Sequence, residues 1–143
     1  MSKQEIYAWT SLLSSIAILG FYGLTMFGLP SEWAAIEDQL SSVLFKIFLF
    51  ALIVEVGIGI LKNKHEVEKD ERDEKIAGKG FKNAYYFLAI AVSFVLFQVI
   101  MDNIFSYAPF MYGTLSLIHL LVVTLVLSSV VNRTTQIYFY RKM

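Results

Sequence analysis

Three stretches of this chain carry no Asp, Glu, Lys or Arg: Ile6–Ser31, Asn83–Met101 and Asn103–Asn132. As helices rising 1.5 Å per residue, runs of about 20 apolar residues cross ~30 Å of hydrocarbon. A fourth apolar stretch, Val43–Leu61, has the same reach but contains Lys46 and Glu55. A backbone in lipid must satisfy its own hydrogen bonds, and the runs show no period-two alternation, so they read as helices rather than barrel strands. The expected fold is an all-α integral membrane protein, a four-helix transmembrane bundle.

Composition agrees with that reading. The 143 residues are 57% hydrophobic and 17% charged, against roughly 45–50% and 25% in soluble domains. Disordered, collagen-like and disulfide-stapled classes are excluded. Twelve basic and twelve acidic side chains leave no net charge, so nucleic acid is not an expected partner. The lipid bilayer is.

The expected single membrane domain, 1–143, has spans at 6–28, 43–61, 84–105 and 112–131, a charged loop at 62–82 and a tail at 132–143. The first apolar run is too long for the core of a signal peptide and no small-x-small site follows it, so it is expected to remain as a span. Eleven of the twelve basic residues fall in the N-terminal segment, the 62–82 loop and the tail; the twelfth is Lys46. The other two connections have none. By the positive-inside rule both termini and the loop are cytoplasmic. Between the first two spans, Trp33, Ile36 and Leu40 recur at helical spacing opposite Glu37 and Asp38, which predicts a short outer amphipathic helix at 31–41.

The loop holds seven basic and six acidic residues in 21 positions. Glu68–Arg72 and Glu71–Lys75 are i, i+4 pairs in the favourable order, which predicts a helix continuing the second span to about Ala77, with Gly78 and Gly80 turning the chain into the third. Asp70, Glu71, Arg72, Asp73, Lys75, Lys79 and Lys82 are the candidate interaction residues of this loop, for a cytoplasmic protein partner. Glu66, Asp70 and Asp73 share a helical face but lack the glycine and spacing of a calcium loop, so they read as a solvated acidic face and no metal is assigned.

Asp70-Glu71-Arg72-Asp73-Glu74-Lys75-Ile76, followed by Lys79-Gly80-Phe81-Lys82-Asn83-Ala84-Tyr85-Tyr86, resembles the signature of a family of small uncharacterised prokaryotic predicted membrane proteins. In that family a D-E-R-[DE]-x-x-I run precedes a basic residue and an aromatic-rich third span. The resemblance implies a four-span membrane fold and a place in a prokaryotic inner membrane. It implies no activity, substrate or cofactor.

The chain has no cysteine, which excludes thiol redox chemistry and thiolate metal sites. No H-x-x-x-H, G-x-S-x-G or glycine-rich phosphate loop is present, and Asp102, Ser116 and His119 have no strained nucleophile position among them, so no enzyme is expected. Polar residues within the spans are the remaining candidates, because charge in hydrocarbon tends to face protein or water. Lys46, Gln98, Asp102 and His119 form one expected group, an outer polar cluster; separately, Lys46 snorkelling, Asp102 at the interface and His119 bonded to a neighbour are sufficient structural explanations. Glu55 lies nine residues from Lys46, about 13.5 Å along the helix and half a turn around it. It is therefore expected either to be a neutral carboxyl or to meet a polar cavity or Arg133. Two functional readings follow: a non-enzymatic accessory or regulatory membrane protein acting through its loop, or a homo-oligomeric channel or transporter for ions or small solutes using Glu55 and the outer cluster.

Overall fold

The structure, a computed structural model, describes residues 3–27, 40–64, 70–107 and 114–142. They form four helices: α1 (Lys3–Phe27), α2 (Leu40–Lys64), α3 (Glu71–Phe105) and α4 (Thr114–Lys142). All four are long and apolar enough to cross a membrane. The expected outer amphipathic helix falls almost wholly on residues 28–39, outside the described residues.

The helices run up and down, and their packing order is not their chain order. α4 packs on both α1 and α3, while α2 packs on α1. Cross-contacts give the directions. Ser15 meets Ser129 and Tyr22 meets His119, so α1 and α4 are antiparallel. Arg72 reaches Tyr140, so α3 and α4 are antiparallel too. One end of the bundle therefore gathers the start of α1, the end of α2, the start of α3 and the end of α4. This is the basic end.

Two apolar cores lie along α1. Ala8 and Leu12 pack with Ile137 near the basic end, flanked by Trp9 and Val130. Further along, Ile18 and Tyr22 pack with Ile47, against Val122, Val123 and Val126. Most large apolar side chains of α2 and of the far half of α3 are exposed. In lipid such a surface meets its own kind of solvent, so exposure there carries no penalty.

The charged segment differs from expectation in one respect. It is helical from Glu71, but as the opening turns of α3 rather than an extension of α2. Asp70 has extended backbone angles and is the N-cap; its backbone N–H donates to Asp73 Oδ2 at 3.2 Å, and its carbonyl accepts from Glu74 N. Glu71, Asp73 and Glu74 in the first turn complement the positive end of the helix dipole. An acid-rich run that reads as one rung of a charge ladder is thus a helix start. The expected Glu68–Arg72 pair involves a residue outside the described set. Gly78 and Gly80 do not turn the chain; both are helical. Gly80 lets α3 approach α4, since a Cβ there would lie 2.8 Å from Gln136 Cγ and 3.0 Å from the Asn132 carbonyl oxygen. This is the small-residue contact by which apolar helices associate closely. The expected tail is also helix, with α4 continuing to Lys142.

Candidate functional site: a polar seam along α1 and α4

The side chains that meet inside the bundle are more polar than the apolar sequence suggests. Gln4, Glu5, Ser11 and Ser15 of α1 are buried, as are Thr124, Asn132 and Gln136 of α4. On α1 the spacing 4, 8, 11, 15, 18, 22 is one helical face, so Gln4, Ser11, Ser15 and Tyr22 alternate with Ala8 and Ile18 on the stripe that seats on α4.

At the centre of the basic half, Glu55 of α2 meets two partners. Ser11 Oγ donates to its Oε1 at 3.2 Å, and Arg133 Nη2 of α4 lies 3.6 Å from the same oxygen. The Arg133 side chain retains 17% of its accessible surface and Glu55 54%. The carboxylate thus sits at the edge of the bundle with its charge turned toward the arginine. Of the expected neighbours, Arg133 is the one that the geometry brings to Glu55, and the same oxygen accepts from a hydroxyl.

From this point the seam extends both ways. Toward the basic terminus, Arg141 Nε lies 3.8 Å from Glu5 Oε1. In the other direction Ser15 and Ser129 hydroxyls are 3.1 Å apart. These serines, with Ser14 and Glu55, border a recess of about 200 Å3 between α1, α2 and α4. Beyond it the seam turns apolar at Ile18, Ile47 and Val126, and polarity returns at Tyr22, whose hydroxyl is hydrogen-bonded to His119 Nδ1. Tyr22 is 1% exposed, the largest fully buried side chain of the described residues.

The residues of the expected outer cluster lie on three helices, α2, α3 and α4. His119 belongs to the α1–α4 seam. Lys46 is exposed beside an apolar groove formed with Ala17 and Phe21 of α1. Gln98 is buried on α3, whose substantial packing partner is α4, and among the described residues its Oε1 has no hydrogen-bond partner. Asp102 is exposed at the far end of α3, where its carbonyl accepts from the N–H of Ser106, a left-handed C-cap. The four residues are spread over different interfaces.

The loop residues are mostly engaged within the chain. Arg72 Nη2 donates to the Tyr140 carbonyl at 3.1 Å, and Lys79 Nζ stands 4.1 Å from the centre of the Phe139 ring. Lys82 stands 5.9 Å from the Tyr86 ring. Lys75 pairs with Glu71 at 2.9 Å on an exposed face. Deeper, Asn83 Nδ2 donates to Thr135 Oγ1, and Gln136 Nε2 donates to Asn132 Oδ1. Sequence reasoning did not single out Ser11, Ser15, Ser129, Asn132 or Gln136. The signal was present as the polar positions of the α1 stripe, but it lies inside uncharged runs whose length dominates any reading.

The family described as "Predicted membrane protein (DUF2178)" matches residues 8–143. No curated protein and no solved structure matches the chain.

Proposed function

We propose, from the premise that the chain belongs to the DUF2178 family of predicted membrane proteins, that it is a non-enzymatic accessory or regulatory protein of a prokaryotic inner membrane. Both termini and the start of α3 face the cytoplasm, and the start of α3 is the surface a protein partner meets. One observation carries this reading. The charged segment is a fixed face: Arg72 and Lys79 lock it onto the end of α4, while Glu71, Glu74, Lys75 and Lys82 remain exposed. A rigid array of charge presents a defined pattern at little ordering cost, which favours recognition.

Orientation is tested first. The chain has no native cysteine, so single cysteines at Ser42 and Tyr107 should react with an impermeant thiol reagent in intact cells, and one at His65 should not. Reaction at position 65 from outside would overturn the reading. For the partner surface, a photo-crosslinking residue at Lys75 should yield a discrete adduct that disappears when Glu71 and Glu74 are reversed to lysine. An adduct insensitive to that reversal, or none, counts against it.

A second reading, transport of protons or small ions, draws on the Ser11–Glu55–Arg133 group, with Glu55 in the second span and Arg133 just past the expected end of the fourth. Against it stands the apolar stretch at Ile18, Ile47 and Val126, which separates that group from Tyr22 and His119. Glu55→Gln should abolish a pH-dependent flux in proteoliposomes if this reading holds, and leave it unchanged otherwise.

A further inference from the structure

A recess of about 430 Å3 opens at the basic end, between the start of α1 and the first turns of α3, with α4 beneath. It exists for two structural reasons. α1 and α3 both pack on α4 but share no substantial interface among the described residues, and Gly78 offers no side chain to fill the gap, where a Cβ would meet nothing within 4 Å. Gly80, two residues on, is closed against α4. Helical spacing places them on different faces, so one glycine permits contact and the other leaves space.

The charges around the recess are ordered by depth. On α3, Asp73 and Glu74 lie at the mouth and Phe81 about two turns nearer the membrane. On antiparallel α4, Tyr140 is at the mouth and Arg133 seven residues, about 10.5 Å, deeper. Arg133 directs Nη2 to Glu55 and also lines the recess. A guanidinium at the floor of a recess is a site for an anionic oxygen. The Glu74 side chain makes no ion pair or hydrogen bond among the described residues. Passing outward from the membrane, the recess thus presents a cation and an aromatic ring at about one depth, then two carboxylates.

A phosphatidylethanolamine molecule has the complementary order: acyl-glycerol, phosphate, then ammonium. We propose that the recess binds the headgroup of such a lipid, with its phosphate beside the Arg133 guanidinium and its ammonium between Asp73 and Glu74. Phosphatidylglycerol supplies the phosphate but would place uncharged hydroxyls against two carboxylates. Phosphatidylcholine has the cation but no N–H to donate to them. The assignment depends on the order of charge along the bundle and holds for whichever leaflet the basic end faces.

The experiment is native mass spectrometry of the purified full chain, with ethanolamine, glycerol and choline phospholipids of identical acyl chains in competition. Ethanolamine lipid should be retained several-fold over the other two. Gly78→Leu fills the recess without touching a charge and should abolish the preference at an unchanged melting temperature. Glu74→Gln, an exposed change that folding tolerates, should reduce the preference of ethanolamine over glycerol lipid. Soluble phosphoethanolamine should fail to displace the bound lipid; displacement would assign the site to a free headgroup and overturn the lipid proposal. Equal retention of the three lipids, or a preference that survives both substitutions, overturns it as well.

Discussion

The two hairpins of this bundle, α1 with α2 and α3 with α4, are both built of helices long and apolar enough to cross a membrane, and they are unlike in how they hold together. α3 and α4 meet through a glycine contact at Gly80 and a ladder of polar bonds, Arg72 to Tyr140 and Asn83 to Thr135. α1 and α2 meet through Ile18, Tyr22 and Ile47 and through the polar link of Ser11 to Glu55. A recess borders that link and an apolar groove opens beside Lys46. Lipid tails are as apolar as leucine, so apolar surface alone gives helices no reason to prefer each other over lipid. Close approach and hydrogen bonds supply that reason. The polar α3–α4 seam is therefore expected to be the more stable half, and the α1–α2 pair the more easily separated.

The strongest way to break this contrast is at Gly80. Gly80→Leu forces a side chain against Asn132 and Gln136 and should cost about 1–3 kcal/mol or prevent folding, as overpacking does. Gly78→Ala is its control: the space is open and the melting temperature in detergent should hold or rise, since alanine is favoured over glycine by up to about 1 kcal/mol in a helix. A similar loss at both positions would remove the glycine contact as the basis of the α3–α4 seam.

Next in size is the Glu55–Arg133 pair, which ties α2 to α4. Arg133→Gln should destabilise by roughly 1–2 kcal/mol, near the upper range for polar links between membrane helices. Adding Glu55→Gln should recover much of that, because an unpaired carboxylate no longer remains in the hydrocarbon region. Additive losses in the double variant would mean the two residues do not interact.

Tyr22→Phe removes the hydroxyl bonded to His119 and keeps the ring. A loss of about 0.6 kcal/mol, the average for such bonds in membrane bundles, is expected in a denaturation measurement. The smallest effect belongs to Lys75→Ala. Both it and Glu71 are largely exposed, and the change should stay within about 0.5 kcal/mol. A larger loss there would show that the charged face is structural rather than a surface for a partner.

Much of the architecture was legible in the chain because its cause is local. The uncharged runs have to be helices, and the four spans follow from length alone. Charge patterning also located the helical charged segment, but not its allegiance. An i, i+4 ladder says that a helix forms, not which span it continues; the N-cap at Asp70 decides that, and Asp70 reads equally well as one more acid in the run. The candidate site was half legible. Glu55 stood out as a lone acid in an apolar stretch, and Arg133 was one of its expected partners, whereas the serines beside it had no local signature.

Hydrocarbon thickness and backbone hydrogen bonding leave an apolar chain of this kind no solution but four membrane helices, and that much follows from the residues alone. Which helices are neighbours came only with the packing. α4 lies between α1 and α3, so Arg133 is brought to Glu55 and the outer polar residues are dispersed over different interfaces. The packing also decided that one glycine of a pair closes a seam while the other opens a recess. Those outcomes depend on how each helix is rotated about its axis against a neighbour distant in the chain, and a rotation is set by the whole set of packed side chains and not by any one segment.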